Sequence, residues 1–297
     1  MKKTFSLIIC ILLCLLVLFN IDTISDKLAT FLENDKKVSL ASPNNYYRNY
    51  DFKFVKQSES YIPYSYQDIL DIIYSTLNNG WDTFTFYCPD EYTECLKDIN
   101  KISKDTTLLS NINNYVHPYN NYSKIGIVSN TTGEITINTT KLYSEQDIDK
   151  LNKGVDEIIT KYITNDMSDD DKVLKIHDYI INNTRYDINK VNEASYTALG
   201  PLFNGTAVCS GYADLMAIFL NKFGIKNYKI ASNTHVWNAL YINGEWLHLD
   251  LTWDDPITKN SDVDTLQHDF FLVKTSKLLE FDTKDHKFDT TVYQEMK

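Results

Sequence analysis

Apolar positions along this chain form one long N-terminal run, followed by a series of helical and strand patterns. Lys2 and Lys3 precede an almost unbroken apolar stretch over residues 5–19, which is the layout of a secretory signal. The stretch is shorter than the ~20 residues that span a bilayer comfortably, and no small-residue cleavage site follows it closely. We therefore expect residues 1–22 to be a signal peptide or an uncleaved membrane anchor, with the rest of the protein outside the cytoplasm.

The next two segments differ in their patterns. Residues 23–60 are polar with little periodicity, so we expect a linker or stalk. Residues 61–143 are predicted to form a small N-terminal α/β region, because apolar residues at helical spacing predict helices over 66–77 and 91–102. Alternating positions predict strands in the same region, at 81–87, 125–129 and 134–138.

Helix signals return in residues 144–297, which we assign to one catalytic domain. Ser144 and Ser168 each stand three residues before an aspartate, a capping pattern that predicts a helix start. The helical patterns cover 148–162, 173–182 and 210–223, and strand patterns follow at 227–232, 235–242 and 245–254.

Asn243-Gly244 lies between the last two strand patterns and is the preferred two-residue hairpin turn. The turn fixes the register, which predicts Trp237 opposite Asp250 and His235 opposite Thr252. Because side chains alternate between the faces of a strand, these four residues share one face. His235 and Asp250 then become diagonal neighbours within side-chain reach.

The five cysteines fall into three groups. Cys10 and Cys14 lie in the export segment, and Cys88 and Cys95 flank a short loop, so that they could pair in an oxidising compartment. Cys209 is left without a partner, and such a cysteine outside the cell is either a reactive thiol or an intermolecular bridge.

Cys209 stands where a loop enters the predicted helix over 210–223. The helix dipole and a nearby histidine both favour a thiolate at such a position. His235 would serve as the base, and Asp250 would hold its imidazole in one tautomer and stabilise its charged form. The pattern therefore predicts an activated thiol nucleophile.

Three blocks in this order resemble the core of bacterial transglutaminase-like proteins: 208–213 around Cys209, 235–238 beginning at His235, and 246–256 around Asp250. The resemblance implies an α+β fold with a papain-like transglutaminase core, in which the nucleophile helix packs on an antiparallel sheet. It also implies that Cys209, His235 and Asp250 form a Cys/His/Asp triad that works through an acyl-enzyme.

The chain departs from the crosslinking transglutaminases of animals at one position. Those enzymes carry tryptophan directly after the nucleophile, whereas this chain has Ser210. No calcium loop with regularly spaced carboxylates is evident either. The resemblance therefore implies acyl-enzyme chemistry more firmly than protein crosslinking, and peptidase or amidase activity stays open beside it.

Other residues could share or take over these roles. His248 is a rival base, but the register sets it opposite Ala239, so we interpret it as a core or supporting histidine. His177 is interpreted as a packing or hydrogen-bonding residue. The oxyanion would be held by the backbone N–H of Cys209 and a second donor, for which Tyr196 and Asn204 are both candidates. Neither a Cys-x-x-Cys nor a paired-histidine motif supports zinc, so we expect no metal and no cofactor.

Composition narrows the range of partners. The chain has 29 Lys and Arg residues against 40 Asp and Glu residues, a net charge of -11. This acidic balance argues against nucleic acid as a partner. We expect a protein or peptide substrate at the cell surface or wall. The alternative is a non-catalytic surface module that uses the same fold to bind a partner.

Overall fold

The computed structural model describes residue 21 and residues 38–255, 266–281 and 284–297. Apart from Ile21, the predicted signal or anchor over 1–22 lies outside the described residues, as do Cys10, Cys14 and Pro256. Among the described residues, no helix has both the length and the apolar character needed to span a bilayer.

The N-terminal region consists of three helices and a three-stranded sheet. Its elements are α1 (Tyr66–Asn78), β1 (Thr83–Tyr87), α2 (Cys95–Ile102), α3 (Thr106–Asn113), β2 (Tyr122–Ser129) and β3 (Glu134–Lys141). The strands are antiparallel in the order β1-β3-β2. The helix predicted from residue 91 begins only at Cys95, because a disulfide ties this residue to Cys88 and the residues between them turn.

The second region carries the longer helices and a second antiparallel sheet. Its elements are α4 (Glu145–Tyr162), α5 (Asp169–Asn183), β4 (Arg185–Tyr186), β5 (Thr206–Ala207), α6 (Cys209–Lys222), β6 (Asn227–Ala231), β7 (Val236–Ile242), β8 (Glu245–Leu249) and α7 (Thr275–Phe281). The predicted caps are present: Ser144 and Asp147 form a reciprocal capping box, and the Ser168 side chain accepts from the N–H of Asp171. Helix α6 packs on β6 and β7, so the predicted α+β class, with the helix that begins at Cys209 packed on an antiparallel sheet, is confirmed.

The hairpin between β7 and β8 has the predicted register near its turn. Asn243 and Gly244 both have positive φ, at 53° and 85°, and the pairing runs regularly as far as Asn238 opposite Leu249. The predicted pairing of His235 with Thr252 is wrong, because the chain leaves the strand at Asp250. There the carboxylate accepts hydrogen bonds from two following backbone N–H groups, which turns the chain instead of extending it.

Part of the predicted linker belongs to the core. Phe52 and Val55 are fully buried, and the buried Arg48 guanidinium donates to the carbonyl oxygens of Tyr115 and Asn227. These residues join the N-terminal region to the second sheet. The linker prediction is therefore wrong for residues 48–55.

A stack of aromatic rings runs through the joint between the two regions. The rings of Phe52 and Tyr115 lie 4.8 Å apart, those of Tyr115 and Tyr228 lie 4.7 Å apart, and Tyr293 stacks on Tyr228 at 6.0 Å. All four side chains are buried. Both regions therefore share one hydrophobic core.

Candidate active site

Cys209 is the first residue of α6 and carries a half-buried free thiol. The residue before it, Val208, makes no side-chain cap to the helix, so that its side chain accepts no hydrogen bond from the first-turn N–H groups. Gly211 allows the helix to start against the neighbouring loop, because a Cβ there would lie 2.4 Å from the carbonyl oxygen of Ser195. The thiol is thus held at the end of a helix whose dipole favours an anion.

His235 and Asp250 meet at the open end of the hairpin. His235 Nε2 lies 2.5 Å from Asp250 Oδ2, and both side chains are almost wholly buried. The Asp250 Oδ1 atom accepts from the backbone N–H groups of Thr252, at 3.0 Å, and Trp253, at 3.3 Å. The carboxylate is therefore fixed through both oxygen atoms.

The electrostatics of this pair favour opposite charges. Burial raises the pKa of Asp250, but the charge and hydrogen bonds of His235 and His286 lower it well below its usual range. Burial likewise lowers the pKa of His235, but Asp250 and then the Cys209 thiol outweigh it and raise that pKa to about 10. We infer an imidazolium–carboxylate pair at neutral pH.

The Cys209 thiol also interacts with the His235 ring. A hydrogen bond with the Cys209 side chain is one of the causes that raise the pKa of His235. Since Asp250 occupies Nε2, the ring nitrogen left to exchange a proton with the thiol is Nδ1. The structure thus brings together the three residues that the sequence selected.

A fourth residue reaches the same carboxylate and was not found from the sequence. His286 Nε2 lies 2.8 Å from Asp250 Oδ2, the oxygen that His235 also binds, and the His286 side chain is fully buried. It comes from a segment for which no motif was recognised. The one signal in the sequence was Asp285-His286-Lys287, a polar stretch that carries a histidine close behind α7.

His248 has a structural position, as the register predicted. It pairs with Ala239 and is fully buried. Its Nδ1 accepts from Trp237 Nε1 at 3.0 Å, and its Nε2 lies 3.0 Å from Thr275 Oγ1. Burial lowers the pKa of His248 to about 3, so the ring is neutral and both of its nitrogens are engaged.

His177 is hydrogen-bonded on both sides. Its Nε2 lies 3.1 Å from the buried carboxylate of Asp254, which also accepts from the Phe270 N–H at 2.9 Å. Its Nδ1 lies 3.0 Å from Asp178, which in turn pairs with His268 at 2.8 Å. These contacts hold α5 to the segment that follows the hairpin.

Within the part of the chain that the structure describes, two groups of side chains have donor atoms close enough to hold a metal ion. One is His177, Asp178 and His268, and the other is His235, Asp250 and His286; in each group the donor atoms lie within 4.8 Å of one another. In both groups the donors are hydrogen-bonded to each other. A metal in the second group would displace the bond between His235 and Asp250.

The two candidates for the second oxyanion donor lie in different surroundings. The Tyr196 carbonyl accepts from Ser210 Oγ at 2.9 Å, so that the exposed Tyr196 borders the start of α6. Asn204 is exposed in the turn over Gly200–Asn204. Tyr186 is a further neighbour: burial and then the charges of Cys209 and Tyr196 raise its pKa. These contacts place Tyr196 and Tyr186 close to the start of α6.

A surface cavity of about 680 Å³ lies away from this chemistry. It is lined by Tyr46, Arg48 and Tyr50 and by the end of α6 around Lys222. Cys209 lies at the opposite end of the same helix, about 20 Å away for a helix of this length. The cavity is therefore separate from the thiol.

The family comparison covers the middle of the chain. Residues 156–251 match the family model described as the transglutaminase-like superfamily. This range includes Cys209, His235 and Asp250 but ends before His286. The resemblance seen in the sequence is therefore confirmed for these residues, and the match supports a thiol-enzyme family.

Individual relatives are more distant. The chain is 24% identical over 165 residues to the Kyphoscoliosis peptidase of Mus musculus, in an alignment that covers 48% of this chain and 24% of the peptidase. The chain thus spans about a quarter of that relative. Among solved structures, a TGase is 14% identical with a TM-score of 0.35, covering 50% of this chain and 48% of the TGase. A candidate cysteine protease from Cytophaga hutchinsonii is 16% identical with a TM-score of 0.29, covering 43% and 61%.

Proposed function

We propose that this protein is an exported or membrane-anchored, transglutaminase-like thiol enzyme that acts on amide bonds of proteins or peptides. The observation that carries the proposal is the bond between His235 and Asp250 beside the Cys209 thiol. A nucleophile, a base and a carboxylate that orients the base are the parts that covalent acyl transfer requires.

In the first half of the reaction, Cys209 acts as the thiolate of a thiolate–imidazolium pair, in which Nδ1 of His235 already holds the proton, and the thiolate attacks the amide carbonyl. The carbonyl oxygen becomes an oxyanion, which the backbone N–H of Cys209 and a second donor stabilise. The imidazolium then gives its proton to the amine as the C–N bond breaks. The amine leaves, and the acyl group remains on Cys209 as a thioester.

In the second half, an amine or a water molecule attacks the thioester. His235 takes the proton of the attacking group, and the sulfur leaves as the thiolate. Transfer to an amine crosslinks or modifies a protein, whereas transfer to water is hydrolysis. Asp250 remains ionised throughout and holds His235 in one orientation.

The proposed location is outside the cytoplasm. It is supported by the N-terminal apolar run over 5–19 and by the disulfide between Cys88 and Cys95, because such bonds persist in oxidising compartments. A protein or wall peptide that meets the outer face of the cell is then the substrate.

In the test, the enzyme is incubated with a denatured substrate protein that contains glutamine and with a labelled primary amine. Incorporation of the label measures transfer to an amine, and release of ammonia or new amino termini measures hydrolysis. Peptide mass spectrometry of an acid-quenched reaction looks for the thioester on Cys209. We expect one of the two products, together with the thioester.

Matched variants separate the site from the rest of the protein. Cys209→Ser and His235→Asn are expected to abolish turnover, whereas His268→Asn changes an exposed histidine that pairs with Asp178 and is expected to retain it. Full activity in Cys209→Ser would refute the proposal. Tight binding of the substrate protein without turnover, with Cys209 reduced, would favour the non-catalytic binding module.

A further inference from the structure

The carboxylate of Asp250 serves two histidines at once. Its Oδ2 atom lies 2.5 Å from His235 Nε2 and 2.8 Å from His286 Nε2, and all three side chains are buried. Because the buried Asp250 is ionised, both ring nitrogens that face it carry a hydrogen. The orientation of His235 therefore depends on an oxygen atom that His286 also holds.

His286 belongs to residues 284–297, which we call the strap. Asp285 accepts from Thr234 Oγ1 at 3.0 Å, so the strap is bonded to the residue directly before His235. Further along, the Tyr293 hydroxyl accepts from the N–H of Ala231 at 3.0 Å. The strap is thus bonded to the loop between β6 and β7 through Thr234 and to the end of β6 through Ala231.

Aromatic rings enclose His286 on several sides. The Phe270 ring is stacked on it with centroids 5.2 Å apart, and Trp237 and Trp253 each lie 5.0 Å away. The ring has little freedom to rotate in this enclosure, and its Nε2 remains directed at Asp250. Packing and hydrogen bonding therefore favour the same orientation of the His286 ring.

We propose that His286 is a positioning residue of this site, and that the strap completes a four-residue arrangement of Cys209, His235, Asp250 and His286. The proposal rests on the thiol chemistry proposed above and adds a residue outside the 156–251 match to the family. His286 does not touch the reacting atoms. It acts through Asp250, by fixing the oxygen that orients His235.

The physical reason lies in the burial of Asp250. A buried carboxylate is stabilised by each hydrogen bond it accepts, and losing His286 removes one of the two histidine donors that hold Oδ2. An Oδ2 atom held by fewer donors is less closely fixed and positions the His235 imidazolium less well. The thiolate–imidazolium pair would then form only at higher pH.

The test compares the pH dependence of iodoacetamide alkylation at Cys209 in the full-length protein, followed by peptide mass spectrometry. His286→Leu removes the donor, His286→Gln keeps an amide donor of similar reach, and Lys287→Gln changes an exposed neighbour in the strap. We expect His286→Leu to shift the acid limb of the rate–pH profile to higher pH by about one unit. Below the plateau, alkylation of Cys209 would then be about tenfold slower than in the parent. His286→Gln should recover part of this loss, and Lys287→Gln should match the parent.

A purely structural role predicts a different result. His286→Leu would then lower the thermal midpoint while its pH profile coincided with that of the parent, and this outcome, or a shift to lower pH, overturns the proposal. The pH profile of the parent protein distinguishes a failure of the proposed thiol chemistry from a failure of the proposed role of His286. A parent rate that rises only near the free-thiol range of ~8.5 refutes the activated thiol itself. An acid-shifted parent that His286→Leu leaves unmoved refutes only the role of His286.

Discussion

His235 Nε2 and Asp250 Oδ2 are 2.5 Å apart at the end of a hairpin whose ladder stops one residue before Asp250. The two residues lie 15 positions apart in the chain. This bond decides which nitrogen of His235 carries the fixed hydrogen, and it leaves Nδ1 for the thiol. The chemistry at Cys209 therefore depends on the tautomer that Asp250 selects.

Asp250→Asn should reverse that tautomer. The new amide oxygen can still accept from the N–H groups of Thr252 and Trp253, which turns the amide NH₂ toward His235 Nε2. His235 would then accept at Nε2 and carry its hydrogen on Nδ1, where it cannot take the proton of the thiol. We expect turnover to fall by about three to four orders of magnitude with little change in fold. Steady-state kinetics with circular dichroism check this, and a loss of less than tenfold would contradict it.

The stability contributed by His235 should disappear in alkaline solution. Its pKa is about 10 in the folded protein and ~6.5 in an unfolded chain. The contribution is therefore complete below about pH 6.5 and is lost as the pH rises through 10. We expect the difference in unfolding free energy between the parent and His235→Asn to shrink by a few kcal/mol between pH 6.5 and 10. Urea titrations at several pH values measure it, and a constant difference would contradict the ion pair.

His248→Leu should affect stability without affecting catalysis. The substitution leaves the donor of Trp237 without its acceptor and removes the bond to Thr275. Such a loss destabilises by about 1–3 kcal/mol. We expect a lower urea midpoint and an unchanged pH profile of Cys209 alkylation. If the folded variant instead lost its turnover, the base would have to be assigned to His248 in place of His235.

Asp254→Ala should weaken the attachment of α5 to the chain after the hairpin. Asp254 is fully buried and holds both His177 and the N–H of Phe270. Breaking a buried pair of this kind typically destabilises by about 3–5 kcal/mol. Asp178→Asn is the matched control, because Asp178 is 30% exposed and should have a smaller effect. Equal effects in chemical denaturation would contradict this account.

Removing the disulfide should lower stability and spare the site. Cys88 and Cys95 are separated by seven positions, and closing so short a loop contributes about 2 kcal/mol in the chain-entropy account. The double variant Cys88→Ser with Cys95→Ser should lose about this much, while alkylation of Cys209 keeps its rate and pH profile. A changed profile would mean that the N-terminal region acts on the thiol.

Turn and capping preferences, which depend only on neighbouring residues, predicted the hairpin and two helix starts. The positive φ of Asn243 and Gly244 fixed the hairpin register, and the capping serines fixed two helix starts. The end of the β7–β8 ladder was missed because the Asp250 side chain accepts from the next backbone N–H groups. These bonds turn the chain at a point where the alternating pattern predicts that the strand continues. The short helix α3 was missed because it buries only Leu109 and Ile112, which are too few apolar positions to show a helical period.

Tertiary contacts explain the remaining differences. His286 reaches Asp250 from 36 positions away, and no periodicity in the chain indicates that distance. Phe52 and Val55 lie in a polar stretch whose composition predicts a linker, yet rings from distant segments cover them. The grouping of Cys209, His235 and Asp250 was predictable because the three residues occur in motif blocks, whereas the contacts that surround them were not.

The aromatic stack of Phe52, Tyr115, Tyr228 and Tyr293 also orders events during biosynthesis. These four residues are spread over more than 240 positions, and contacts of such high sequence separation form late in folding. Synthesis passes Cys209, His235 and Asp250 before it reaches Tyr293, so a growing chain contains these three residues before it contains the last ring of the stack. The core that joins the two regions is therefore complete only after every residue of the proposed site, His286 included, has been made.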